Sequence, residues 1–208
     1  MTTVHVRVLK AGDTTAAGAL LAASHSNYPA FRTLFPDPQV RSRVLLAFQT
    51  AAVRDATADG SAVGAFLTDQ LAGVALWQPP GRFPLNAIRK ARMTPALARV
   101  AIAAPRAFPR FARSGAALEK MFPAEPVWYL EALGVHPNAQ RRGVGAALLA
   151  AGLAIVDGDQ LTCHLHTSDH ANVEYYRRWG FELTQPAFSA GRDGPTYYGM
   201  SRPPSRHP

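Results

Sequence analysis

Cysteine, lysine, acidic side chains and long apolar runs are all scarce in this chain of 208 residues, and each scarcity excludes something. One cysteine, Cys163, leaves no internal disulfide and fits a reducing compartment. No segment approaches the roughly 20 apolar residues of a membrane helix. The start, MTTVHVRVLKAGD, alternates like a strand where a signal core would be uninterrupted. A cytoplasmic location with no membrane partner is therefore expected. The only lysines are Lys10, Lys90 and Lys120, and none stands in a glycine-rich turn, so a G-x-x-x-x-G-K-[ST] phosphate loop is excluded.

Asp and Glu number 14 against 22 Lys and Arg, a formal charge of +8. The excess is local. Arg82, Arg89, Lys90, Arg92, Arg99, Arg106, Arg110, Arg113 and Lys120 face only Glu119 within their own stretch. That stretch lacks the aromatic interleaving of a stacking platform, and no zinc-finger, RRM or helix-turn-helix pattern accompanies it. No nucleic-acid partner is expected, and a solvated basic face is the plainer reading.

What is present is 48% hydrophobic, enough for a well-buried core. Residues 4–10 alternate as a half-buried strand. Asp13 is placed to cap a helix through about Ser24, and a second helix follows FPDP, from about Gln39 to Arg54. The runs SAVGAFL and LAGVALWQ, separated by Thr68, Asp69 and Gln70, predict a hairpin. Residues 79–126 have helical spacing and no strand pattern. VWYLEALGV, 127–135, predicts a strand. A helix from about Gly143 to Val156, a strand QLTCHLHTS, a helix from about His170 to Trp179, and strands GFELTQ and PTYYGMSR complete the order. The expected architecture is α/β: one domain over 1–202, built on a mixed sheet with helices on its faces. A helical insertion at 79–126 precedes the central strand, and 203–208 form a disordered tail.

The segment VHPNAQRRGVGAALLAAGLA, 135–154, carries most of the functional information. A strand entering a glycine turn and then a helix leaves backbone N–H groups without partners at the positive end of the helix dipole. Gly143 and Gly145 let an anion approach the backbone, and Arg141 and Arg142 add forked donors. A dinucleotide fingerprint fails, because Leu148 stands where its third glycine belongs.

QRRGVGA resembles the Q/R-x-x-G-x-G/A turn of the GNAT superfamily of N-acetyltransferases. It follows WYLEALGVHP, similar to that superfamily's central strand. About 35 residues later, TSDHANVEYYRRWGFE resembles its second signature, an Asn four residues before a Tyr with Gly-Phe four residues further on. Within the superfamily, the layout of segments is similar to that of the puromycin N-acetyltransferases, strongly over 127–202 and patchily before. The resemblance implies a GNAT-type, mostly antiparallel central sheet. It also implies acetyl-CoA as cosubstrate without a metal, and transfer in a direct ternary complex to the primary amine of a small molecule. A protein or peptide acceptor is the first alternative, and a non-catalytic CoA-binding regulatory module using the basic insertion is the second. Homodimers are common in the superfamily.

The resemblance also implies residue roles. The backbone of Leu133, Gly134 and Val135 would hydrogen-bond the pantetheine arm, with the Val135 N–H placed to polarise the thioester oxygen. Gln140, Arg141, Arg142, Gly143, Val144, Gly145 and Ala146 would take the pyrophosphate. Asn172 would contact the pantetheine arm, and Tyr176 would be the general acid. Ordinary alkyl amines are largely protonated at neutral pH, so a base is needed. Glu131 is the first candidate, either as base or as an anchor for the substrate ammonium, because strand periodicity puts it on the face of Leu133 and Val135. His166 is the second. His164 and His166 share a strand face, but with His170 they offer no recognised metal spacing.

Overall fold

The computed structural model describes residues 3–205. Seven strands form one sheet: β1 (Val4–Val8), β2 (Ala62–Leu67), β3 (Gln70–Gln78), β4 (Trp128–Val135), β5 (Cys163–Thr167), β6 (Glu182–Ser189) and β7 (Thr196–Arg202). Their spatial order is β1-β2-β3-β4-β5-β7-β6. Only β4 and β5 run parallel. That single parallel pair needs a crossover, which the helix α6 (Val144–Gly158) supplies. The mixed, mostly antiparallel sheet with flanking helices is the architecture expected.

Helices α1 (Thr14–Ser24) and α3 (Pro38–Ala58) cover one face through Ala17, Leu21, Val53 and Ala56 against Val74 and Leu76. Helices α6 and α7 (His170–Arg177) cover the other through Val144, Leu148, Val173 and Tyr176 against Trp77, Leu130 and Leu165. The caps are local. Pro38 opens α3, and the Asp37 carboxylate accepts from the N–H groups of Gln39 at 2.8 Å and Val40 at 2.9 Å. Asp13 holds the expected N-cap position but makes no side-chain cap bond. Its carboxylate accepts from Arg7 and from the Lys10 N–H, so it secures the preceding 3-10 turn (Ala11–Asp13) to β1.

The insertion holds two helices, α4 (Ala87–Ala103) and α5 (Phe108–Lys120). α4 packs along α3, and α5 joins it and the short α2 (Pro29–Leu34) through Phe111, which meets Phe35 and Phe48. The insertion therefore thickens one helical layer. Several of its basic groups are paired: Arg82 with Asp59, Arg89 with Asp55, and Lys90 with Glu119. In the tail expected to be disordered, the Ser205 N–H donates to Asp157 at 2.8 Å, while residues 206–208 lie outside the described residues.

Two contacts set the pose of α6. A Cβ on Gly152 would lie 2.0 Å from the Trp77 indole, so only glycine lets this helix approach β3 so closely. Gly152→Ala is expected to destabilise the fold by about 1–3 kcal/mol through overpacking, read as a fall in melting temperature of several degrees. At the other end, Arg202 on β7 donates to both oxygens of Asp157, at 2.7 and 2.9 Å. This pairing holds the Asp157 carboxyl down to about 2. A depressed carboxylate stabilises the fold above its unfolded value and loses that contribution as the pH falls. Asp157→Asn is therefore expected to remove stability at pH 7 and to flatten the wild-type decline between about pH 4 and pH 2, measured by urea unfolding.

Candidate active site

The ladder between β4 and β5 ends at Leu130 and Leu165, so beyond that pair the two strands part. On its other edge β4 stays paired to β3 up to Val135 opposite Gly73, and the His136 N–H donates to the Ala72 carbonyl at 2.9 Å. Hydrogen-bonded and non-hydrogen-bonded pairs alternate along an antiparallel ladder. The bonds at His136 and, by alternation, Gly134 run to β3, while the N–H and C=O groups of Leu133 and Val135 turn toward the cleft left by β5. Gly134 serves the packing: a Cβ there would lie 2.2 Å from Ser24 Oγ.

The turn after β4 lies at one mouth of this cleft. Ala139 and Gln140 donate back to His136 and Pro137, and Ala147 donates to Gly143. Among the described residues, no N–H from Arg141 through Ala146 has an acceptor. Arg141 (φ 57°) and Gly143 (φ 80°) are left-handed, the kind of backbone that gathers successive amides into an anion-binding concavity. Nothing lies within 4 Å of where a Gly143 Cβ would stand, so the space over the amides is open. Gln140, Arg141 and Arg142 are exposed, Val144 is buried against β3, and Gly145 lies against Val135 and the Tyr175 hydroxyl. These donors, at the N-terminus of a helix of 15 residues, suit a diphosphate.

α7 supplies the opposite wall. Asp169 is its cap and accepts from the Ala171 N–H at 3.0 Å, which leaves the half-buried Asn172 side chain without a hydrogen bond among the described residues. Tyr176 is 8% exposed and packs on Phe181, and its hydroxyl makes no hydrogen bond to a described residue. Burial, with repulsion from Tyr28, Tyr175 and Cys163, pushes its phenol far above the ordinary range, so it stays protonated. Leu133, Val135, Val144, Tyr175 and Tyr176 thus belong to one cluster of β4, α6 and α7, and Gly145 at the head of α6 lies against Val135 and the Tyr175 hydroxyl.

Glu131 corrects the expected periodicity. Leu76 faces Ala132 and Trp77 faces Leu130, so Glu131 is the extra residue of a β-bulge. Leu130, Leu133 and Val135 face α6, whereas Ala132 faces the α1 side and the Glu131 carboxylate accepts from Gln78 Nε2 at 2.6 Å. Glu131 therefore lies toward the α1–α3 side of the sheet rather than beside Leu133. Burial pushes its carboxyl up, while the Gln78 donor and the Arg89 charge oppose this.

His164 and His166 do share a face, with their Nε2 atoms 3.3 Å apart, and both ring against Tyr129. Burial holds them down to about 4 and about 3 respectively, so both are neutral at pH 7. His170 lies elsewhere, against Tyr198. Among the described residues no group of three His, Cys, Asp or Glu is gathered for a metal. Nor is any described helix long and apolar enough to cross a membrane.

Sequence reasoning missed the contacts that tie α2 and α5 to the ends of β5 and β7. Tyr28 accepts from the Ser168 N–H at 2.8 Å and lies 2.7 Å from Thr167 Oγ1, while the Ala30 N–H donates to Ser168 Oγ. These bonds sew the α1–α2 connection to the end of β5. Ser114 on α5 bonds Tyr197 on β7 at 2.6 Å, above a cluster of Ala30, Ala190, Tyr197, Leu118 and Phe188. The one local clue was Ser114, a polar residue at a buried helix position.

A cleft between parting parallel strands, followed by a cradle of unpartnered amides at a helix start, is a site for a phosphate-bearing ligand, and the comparisons supply the class. Residues 24–181 match the Acetyltransferase (GNAT) family, and the chain belongs to that family. It is an acetyl-CoA-dependent acetyltransferase. Many solved structures share the fold, among them these three. Histone acetyltransferase HPA2 and related acetyltransferase from Corynebacterium glutamicum has a TM-score of 0.72 and 22% identity, covering 100% of this chain and 99% of that one. PaiA N-acetyltransferase from Thermoplasma acidophilum, in complex with coenzyme A, has 0.58 and 11%, covering 97% and 99%. Arylalkylamine N-acetyltransferase 2 from Aedes aegypti has 0.60 and 13%, covering 97% and 99%.

Proposed function

We propose that the enzyme acetylates the primary amine of a small molecule in a direct ternary complex. The observation that carries this reading is how closely this side is tied together: the Ala30 N–H of α2 donates to Ser168 at the end of β5, Ser114 of α5 bonds Tyr197 of β7, and Ala30, Leu118, Phe188 and Tyr197 share one cluster. An extended peptide would need an open groove along the central strand, and helices tied down in this way favour a compact acceptor. The segment layout similar to that of the puromycin N-acetyltransferases supports the same class of acceptor.

Acetyl-CoA supplies the activated acyl group, and the residues of the chain supply the rest. The amides of Arg141 to Ala146, with Arg141 and Arg142, hold the diphosphate. Leu133, Val135 and Asn172 align the pantetheine arm. The Val135 N–H donates to the thioester oxygen, where negative charge develops as the amine attacks. Glu131 takes the amine proton directly or through water, and the Tyr176 phenol gives a proton to the departing sulfur. Glu131 is favoured over His166 because general-base efficiency peaks when the pKa approaches the working pH. Burial moves the carboxyl toward neutrality and the imidazole away from it.

The test follows free thiol while acetyl-CoA is supplied with small amines, aminonucleosides and peptides. Turnover confined to small amines is expected. Glu131→Gln should lower kcat/KM for the amine by about two orders of magnitude with the KM for acetyl-CoA unchanged. Turnover on peptides alone, or tight coenzyme binding without turnover, would overturn the reading.

A further inference from the structure

Behind Glu131, polar side chains continue into the protein where apolar packing would be the norm. Gln78 at the end of β3 is 1% exposed, Arg89 on α4 is 2% exposed and Asp55 on α3 is 6% exposed. Arg89 Nε donates to Asp55 Oδ2 at 2.6 Å, Nη1 donates to the Arg82 carbonyl, and Nη2 donates to Gln78 Oε1 at 3.1 Å. Gln78 Nε2 then donates to Glu131. A buried ion pair is commonly no better for stability than apolar side chains of the same volume. Stability therefore does not explain why this one is extended by an amide to a carboxylate at the cleft.

Donor and acceptor chemistry gives the chain a direction. A guanidinium can only donate, so the Gln78 amide must turn its oxygen to Arg89. Its NH₂ group is then committed to Glu131, and a carboxylate that accepts such a bond is favoured in its charged form. Each link fixes the next.

We propose that Gln78 and Arg89, with Asp55 anchoring Arg89, form a positioning relay through which the helical insertion holds the Glu131 carboxylate in its charged form and in a fixed orientation for the amine. This rests on the reading of Glu131 as the group that meets the amine. It also gives the insertion a role in the chemistry, delivered from behind the sheet by one arginine. The other charged and titratable groups around the chain are Arg92 on α4, 3.6 Å from Asp55 Oδ1, Tyr129 on β4, and the Arg82–Asp59 pair. Asp55 opposes the ionisation of Glu131, and Arg89 promotes it.

The relay is decided by titrating the Glu131 carboxyl itself, using carbon-13 glutamate labelling with the resonance assigned by its loss in Glu131→Gln. Gln78→Met keeps the side-chain length and removes the donor, and should raise the Glu131 midpoint by about one pH unit or more relative to wild type. Gln78→Glu, which sets a second carboxylate against the first, should raise it further. Melting curves and coenzyme affinity identify which variants remain folded. An unchanged midpoint in either folded variant overturns the relay. This readout needs no substrate, so it separates the relay from the reading of Glu131 as the group that meets the amine, which fails if Glu131→Gln acetylates amines as well as wild type. Where turnover is measurable, the acid limb of kcat/KM in the Gln78 variants should move by the same amount as the carboxyl midpoint. An acid limb that stays in place would also contradict the relay.

Discussion

Tyr176→Phe is expected to lower turnover by about two to four orders of magnitude while leaving the affinity for acetyl-CoA within about twofold of wild type. The substitution removes one hydroxyl from a ring held by Phe181 and the α7–sheet core, so packing is retained. That hydroxyl has no partner among the described residues, and burial with nearby Tyr28 and Tyr175 keeps it protonated. A phenol whose only task were structural would be expected to hydrogen-bond to the protein. Stopped-flow thiol release with calorimetry on the same samples separates the outcomes. Equal turnover in the variant would remove Tyr176 from the chemistry, and loss of coenzyme affinity in step with turnover would make it a binding residue.

The second large effect is expected at Gly143. Its φ of 80° costs an ordinary residue roughly 1–2 kcal/mol, and a β-branched one more. A side chain would also fill the open space above the amides, where no protein atom lies within 4 Å. Gly143→Val is therefore expected to weaken coenzyme A binding about ten- to hundredfold, and to lower the melting temperature by several degrees through the backbone strain. Gly143→Ala should fall between. A wild-type dissociation constant in Gly143→Val, read by calorimetry, would contradict a diphosphate site at this turn.

The parts of the site visible in the sequence are those whose geometry is local. A turn with Gly143 and Gly145 entering a helix, and an Asn and a Tyr on successive turns of α7, depend on neighbours a few residues away. The walls they build could be anticipated for that reason. Glu131 shows where this ends. Its face depends on a bulge, two residues of β4 spanning one step of β3, and strand periodicity within β4 carries no trace of it. The relay behind it joins residues 34 and 53 positions apart, so no window along the chain contains it. Its one local sign was Asp55, a carboxylate at a core-facing position of α3. Asp13 does hold the N-cap position of α1, but the sequence did not show that its carboxylate would be taken by Arg7. The insertion, a basic stretch when read alone, proves to be partly neutralised by acids on α3 and α5.

The central claim is that the backbone amides from Arg141 to Ala146 receive the diphosphate of coenzyme A. Nitrogen-15 amide spectra recorded during titration with coenzyme A, and in parallel with pantetheine, which lacks phosphate, test it most directly. The account predicts large shifts of the 141–146 amides with coenzyme A and much smaller ones with pantetheine, while Leu133 and Val135 respond to both. Saturable coenzyme A binding that leaves the 141–146 amides unmoved would contradict it.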